Sequence, residues 1–228
     1  LKVQIIIDDV KAHYVAQNNE QELKSLEAKN LGCTGSSGGA TEYNTPSNWS
    51  LGSMGGYFTY AEVMAHLDNM AALYPSLITT KAPIGSFQTY ESRPIYWLRM
   101  SDNASTDEAE PEMLYSAIHH AREPACLSQL IFYMWYLLEN YGSNSEVTAI
   151  LDNTELYFVP LVNPDGYVYN EVNDPSGGGM WRKNRRNNGG GDYGVDNNRN
   201  YSYEWGTTGI STNPGNDTYC GTAPFSES

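Results

Sequence analysis

Hydrophobic positions along the chain predict strands and helices in alternation, separated by polar, glycine-rich gaps. Residues 3–7 read as a strand, followed by Asp8 and Asp9 and then a helix over residues 19–29. Residues 32–56 are rich in Gly, Ser, Thr and Asn, carry Pro46 and show no sustained period, which marks a linker and a domain boundary. Order returns at Thr59, which forms a capping-box pattern with Glu62. Val63, Leu67, Met70, Ala71 and Tyr74 follow at helical spacing until Pro75 ends the run. His66 lies on this helix with no chemistry-bearing neighbours and reads as a surface or capping histidine.

Residues 77–82 and 95–100 are strand-like, with Gly85 and Pro94 punctuating the turns. An acidic loop over 102–111 leads to a third strand at 113–119, whose apolar content suits a buried central position. A long helix is predicted over 124–141, with Pro124 in its first turn and Leu127, Leu130, Ile131, Met134, Leu138 and Tyr141 on one face. Residues 156–162 form the next strand. From Asn163 onward the pattern reads as loop, apart from a short strand near 193–195. The alternation implies an α/β layered fold.

Composition narrows the class. The 228 residues divide into an N-terminal extension or pro-segment end with its linker (1–55) and one main domain (56–228). Hydrophobic residues at 40% and charged residues at 18% fit a packed core and not a disordered chain. Thirteen Lys+Arg against 27 Asp+Glu give a net charge of −14, which disfavours nucleic acid and anionic membrane surfaces as partners. Cys33, Cys126 and Cys220 are too few and scattered for a disulfide scaffold or a thiolate metal site, and Cys126 reads as a small buried hydrophobe. No apolar run reaches membrane-spanning length, and the chain opens at Leu1 without a signal peptide.

Four segments carry candidate chemistry. In His119-His120-Ala121-Arg122-Glu123-Pro124, a strand gives way to a helix, where His-x-x-Glu places an imidazole and a carboxylate within reach of one ion. Alone the motif is weak, because carboxylates are common here. Asn163-Pro164-Asp165-Gly166-Tyr167 reads as turn chemistry. Trp181-Arg182-Lys183-Asn184-Arg185-Arg186 is the one dense basic cluster, a solvated face or an anion patch. In Gly194-Val195-Asp196-Asn197-Asn198-Arg199-Asn200-Tyr201, an arginine fork beside an amide suits a carboxylate.

Together and in this order, these motifs resemble the M14 family of zinc carboxypeptidases, with His-His-Ala-Arg-Glu most similar to secreted bacterial members. The resemblance covers roughly residues 56–228 and implies a mixed, mostly parallel sheet flanked by helices. It implies zinc as cofactor, with His120 and Glu123 as two of three protein ligands. Asp196 then orients His120, and Arg182 polarises the scissile carbonyl. Asn198 and Arg199 grip a terminal carboxylate, and Arg122 belongs to a substrate subsite. The implied activity is removal of C-terminal residues from peptides or proteins, outside the cell or in the periplasm. A cell-wall peptide hydrolase of the same fold and a non-catalytic binding relative are the alternatives. No histidine follows His120. The third ligand and the general-base glutamate are therefore expected beyond Ser228, and these residues alone are expected to be inactive. Arg199 is expected to share a cleft with Arg182 and to be satisfied by water or a carboxylate.

Overall fold

A computed structural model describes residues 43–227 and, before them, Ala16 alone. The strand expected at 3–7, the helix at 19–29 and Cys33 lie outside the described residues.

Helix α1 (Tyr60–Leu73) begins with the expected capping box, Thr59 and Glu62 each satisfying the other's backbone N–H, and buries Val63, Leu67 and Met70. Three strands pair in one sheet with a short fourth: β1 (Ala82–Pro83), β2 (Tyr96–Met100), β3 (Glu112–Ser116) and, later in the chain, β4 (Glu155–Val159). The spatial order is β1-β2-β4-β3. β2 runs antiparallel to β1 and β4, while β3 pairs parallel with β4 over the full register Glu112↔Glu155 to Ser116↔Val159. The expected mixed sheet flanked by helices is present, though among the described residues one of its three strand pairings is parallel and two are antiparallel.

Three strand expectations change in detail. The strand at 77–82 is reduced to an isolated bridge, Ile78↔Met100, and the two residues of β1. The hydroxyl of Thr79 takes the Arg99 N–H at 2.9 Å, a bond that a ladder would give to a backbone carbonyl. β3 stops at Ser116 and, among the described residues, stands at the sheet edge with Met113 and Leu114 exposed, not in a buried central position. Ile118, a β-branched residue at φ 55°, explains the early stop by turning the chain out of extended geometry.

Helix α2 (Pro124–Asn140) matches its prediction closely, with Leu127, Leu130, Ile131, Met134, Trp135, Leu137 and Leu138 buried. Its Trp135 donates Nε1–H to His66 Nδ1 at 3.0 Å. His66 is therefore a half-buried acceptor joining α1 to α2, and not a surface or capping residue. Burial holds its pKa below the ordinary value, as a neutral acceptor needs. A short helix α3 (Ser145–Leu151), capped by Asn144, escaped the sequence reading.

The larger correction is α4 (Pro164–Asn173), where the sequence read as loop. Asn163 accepts the Gly166 N–H at 3.0 Å and Pro164 takes the first helical position, so the turn formers start a helix. The predicted strand near 193–195 is the second half of a hairpin, β5 (Asn187–Gly189) with β6 (Asp192–Tyr193). A 3-10 turn, Asn197–Arg199, follows. Leu98 pairs with Phe158 and Met100 with Leu156, which gives the sheet one apolar face. The opposite face carries Arg99 on Glu155 at 3.1 Å, both buried.

Candidate active site

The candidate residues gather where parallel strands β3 and β4 end, the usual place for a site in an α/β sheet. Beyond β3 the backbone passes through Ile118 in the left-handed region and delivers His119 and His120 ahead of α2. A β-branched residue in that conformation costs on the order of 1–3 kcal/mol and persists only where its surroundings enforce it. Here Asn163 N–H binds the Ile118 carbonyl at 3.0 Å, and the side chain is fully buried.

Beyond β4, α4 carries Gly166 into a space that admits no side chain. A Cβ there would lie 2.5 Å from the Lys183 carbonyl and 2.9 Å from the Ala121 Cβ. Ala121 N–H in turn donates to the Arg182 carbonyl at 3.1 Å. Three of the sequence motifs are thereby locked backbone to backbone.

Asp196 joins the fourth. It is completely buried and accepts four N–H groups: His120 Nε2 and the Asn198 backbone at 3.0 Å on Oδ1, and Arg182 Nε and Nη2 at 3.0 and 2.9 Å on Oδ2. Burial alone would raise its pKa, but the hydrogen bonds from His120 and Arg182 and the arginine's charge hold it below the usual carboxylate range. The other nitrogen of His120, Nδ1, lies 2.9 Å from Glu123 Oε1. With Asp196 accepting the Nε2 proton, Nδ1 and the Glu123 oxygen face each other as two acceptors unless a proton or a cation lies between them. The Glu123 side chain is 52% exposed and that of His120 9%, so the carboxylate is the open side of the pair.

The remaining candidates disperse around this centre. Arg122 donates Nη1 to Asp217 at 3.0 Å and to the Met180 carbonyl at 3.4 Å. Arg199 donates to the carbonyls of Gly209 and Asn198 at 2.8 and 2.9 Å, not to the expected carboxylate. Asn198 and Arg199 line a hollow of about 240 Å³ with Tyr201, Tyr203 and Trp205, and Arg182 is not among its lining residues.

The basic run is not a solvated face. Lys183 is 4% exposed, donates to the Pro214 carbonyl at 2.6 Å, and has its pKa lowered by burial. Arg185 lies over the rings of Tyr169, Trp181 and Tyr193 at 3.8, 4.7 and 4.7 Å, a filled aromatic cage. Cys126 is half-buried and not a plain core residue. Its Sγ–H donates to the Glu123 carbonyl at 2.9 Å, and burial pushes the thiol pKa up. Neither Cys126 nor Cys220 forms a disulfide among the described residues.

Two features went unread in the sequence. Asp165, taken for a turn residue, is buried and accepts from Thr89 Oγ1 and Arg93 Nη1 at 2.8 Å and from Glu91 N at 2.9 Å. It pins the loop before β2 to the start of α4, and its place in a helix first turn was the only available signal. Tyr201 OH lies 2.7 Å from His119 Nε2, beside the candidate centre.

Comparison with known proteins places the chain in a family. The zinc carboxypeptidase family model (Peptidase M14) matches residues 63–228, and the chain belongs to that family. A zinc carboxypeptidase of Saccharothrix mutabilis subsp. capreolus is 33% identical over 156 residues, covering 68% of this chain and 34% of the relative. Carboxypeptidase A2 of Mus musculus is 34% identical over 174 residues, covering 76% of this chain and 39% of the relative. The chain thus spans well under half the length of these relatives. Among solved structures, thrombin activatable fibrinolysis inhibitor matches at TM-score 0.67 and 30% identity, over 75% of this chain and 41% of that one. Carboxypeptidase A of Helicoverpa armigera matches at TM-score 0.65 and 28% identity, over 91% of this chain and 47% of that one. No helix among the described residues is long and apolar enough to cross a membrane.

Proposed function

We propose that the protein carrying this chain is a secreted, zinc-dependent carboxypeptidase that hydrolyses the last peptide bond of peptides or proteins. The observation that carries the reading is the His120 imidazole, with Nδ1 at 2.9 Å from Glu123 and Nε2 at 3.0 Å from a buried Asp196. Imidazole nitrogen and carboxylate oxygen are the donors zinc takes, and a carboxylate behind the ligating histidine fixes its tautomer. The site fits the metal: His120 Nδ1 and Glu123 would hold it. Zinc would supply polarisation of the carbonyl and a bound water of lowered pKa.

The chain's own residues supply the rest. Asp196 holds the guanidinium of Arg182 through Nε and Nη2. Its Nη1 makes no hydrogen bond among the described residues and is the group left to stabilise charge on a scissile carbonyl. Asn198 and Arg199 receive the terminal carboxylate, for which Arg199 must exchange carbonyl partners for substrate. The 228 residues contain no histidine after His120, so they offer two of the three expected ligands, and we expect no turnover from them alone.

The test is release of the C-terminal residue by the zinc-loaded full-length protein, its loss on chelation, and its absence on peptides with an amidated terminus. Equal cleavage of free and amidated peptides would refute the exopeptidase reading, as would no cleavage at full zinc occupancy.

A further inference from the structure

The roles above leave one short contact beside the centre without a task. Tyr201 OH lies 2.7 Å from His119 Nε2, a well-formed hydrogen bond, and the two rings meet at 5.9 Å and 45°. His119 directly precedes His120, the first candidate ligand, and Tyr201 follows Arg199 by two positions. The bond spans 82 positions of the chain and joins the metal segment to the loop assigned to the terminal carboxylate.

Asn197–Arg199 is a single 3-10 turn with little strength of its own, so its orientation is set by its attachments. At its start, Asp196 Oδ1 takes the Asn198 N–H and His120 Nε2, both at 3.0 Å. After it, Asn200 Nδ2 donates to the carbonyls of Cys220 and Ala223 at 2.8 and 3.0 Å, which ties the turn to the last described residues. Among the described residues, Tyr201 then supplies the second side-chain bond from this loop to the His119–His120 segment. One such bond is a pivot, and a second fixes the angle about it. The Tyr201 ring stands edge-on to Phe225 at 6.0 Å, a contact that limits the arc through which the hydroxyl can swing.

We propose that the Tyr201–His119 pair is a spacer that sets the distance between the metal centre and Arg199. It thereby selects peptides in which one carbon separates the scissile nitrogen from the terminal carboxylate. Both residues are positioning residues: His119 acts through His120, and Tyr201 acts through the turn that carries Asn198 and Arg199. An extra methylene lengthens the substrate's reach by one bond of about 1.5 Å. A misplacement of about 1 Å at the reacting atoms costs up to about 10²-fold in rate, so a contact that fixes this distance is read in turnover. The spacer rests on the carboxypeptidase reading.

The experiment uses the zinc-loaded full-length protein and two matched peptides, one ending in an α-amino acid and one in its β-homologue, which has one methylene more before the carboxylate. Release rates and calorimetric affinities are measured for both. Tyr201→Phe keeps the ring and removes only the hydroxyl. It should lower kcat on the α-peptide by about tenfold while KM rises less and zinc affinity holds, as expected for displaced reacting atoms. The β-peptide gains nothing from the set distance. The α-over-β preference should therefore fall by at least about threefold in kcat/KM, the scale of one hydrogen bond, and fall less in affinity. His119→Leu should give the same fall, and the double variant should be no worse than either single one. His119→Gln, whose amide reaches the place of Nε2 as donor or acceptor, should keep the preference. Release with a preference unchanged in Tyr201→Phe overturns the spacer and leaves the peptidase standing, as does a double variant whose loss is the product of the single losses. No release by the parent at full zinc occupancy sinks the peptidase reading. The affinities then decide: a preference that falls in Tyr201→Phe keeps the spacer, and an unchanged one overturns it as well.

Discussion

Asp196→Asn in the full-length protein is the most informative single perturbation, because the replacement has the same shape and one acceptor fewer. The carboxylate takes two donors on each oxygen: His120 Nε2 and Asn198 N on one, Arg182 Nε and Nη2 on the other. An asparagine amide must turn its NH₂ toward one pair. Facing Arg182, it meets two donors and strands a guanidinium whose side chain is only 12% exposed. Facing His120, it opposes the Asn198 N–H and asks the imidazole to accept at Nε2, which moves the proton to Nδ1 and removes the lone pair aimed at Glu123. A charge-assisted hydrogen bond is worth about 1.5–3 kcal/mol, and breaking a buried pair costs about 3–5 kcal/mol. The Arg182 side chain keeps a small exposed fraction through which water can reach it, so the lower end, about 3 kcal/mol, is expected.

Urea unfolding of the metal-free protein reads this loss directly. Zinc affinity should fall by about 10- to 100-fold as the tautomer is released. The pH dependence gives the sign. The folded Asp196 pKa is depressed, so its stabilisation is complete above the ordinary aspartate value of about 3.9 and fades as pH falls through the lower folded value. The gap between parent and variant should therefore close in acid. A loss under about 1 kcal/mol at neutral pH, with unchanged zinc affinity, would show that Asp196 does not hold His120 and Arg182 together.

Arg182→Ala should lower kcat by about 10²–10³ if its guanidinium meets the developing oxyanion, and steady-state rates at saturating peptide check this. Arg199→Ala should weaken binding of free-acid peptides by about 1.5–3 kcal/mol and leave binding of amidated ones unaffected, so equal losses of affinity on both would remove its assigned role. Gly166→Ala should cost about 1–3 kcal/mol of stability, because its Cβ meets the Lys183 carbonyl at 2.5 Å and Ala121 at 2.9 Å, and an unchanged urea midpoint would contradict that packing.

Helices α1 and α2 were legible in the sequence because their signals are local: a reciprocal capping box, Pro124 at the first turn, and a clean apolar stripe. α4 was hidden because its buried face includes Asp165, Gly166 and Asn170 beside Tyr167, so no apolar period marks it. Its turn-forming residues serve as helix starters only once Gly166 docks against Lys183 and Ala121. The β3 exit was equally invisible, since nothing in the composition of Ile118 announces a positive φ. Spacing alone brought His120 and Glu123 within reach, but the contact with Asp196 spans 76 positions and came only through family resemblance.

The charge balance also changes meaning once the fold is known. Four carboxylates with side chains nearly or fully buried, Glu155, Asp165, Asp196 and Glu227, each face an arginine: Arg99 at 3.1 Å, Arg93 at 2.8 Å, Arg182 at 2.9 Å and Arg186 at 2.6 Å. A chain with 13 basic residues against 27 acidic ones thus commits part of its scarce cationic charge to buried carboxylates. Arginine suits that task because its planar fork serves several acceptors at once, as Arg182 serves one carboxylate oxygen through two nitrogens. Pairs of this kind add little net stability over an apolar replacement, but they are costly to break from one side. Their value here is positional, since each joins two separate segments of the chain. The basic run between Trp181 and Arg186 supplies two of these four arginines, Arg182 to Asp196 and Arg186 to Glu227.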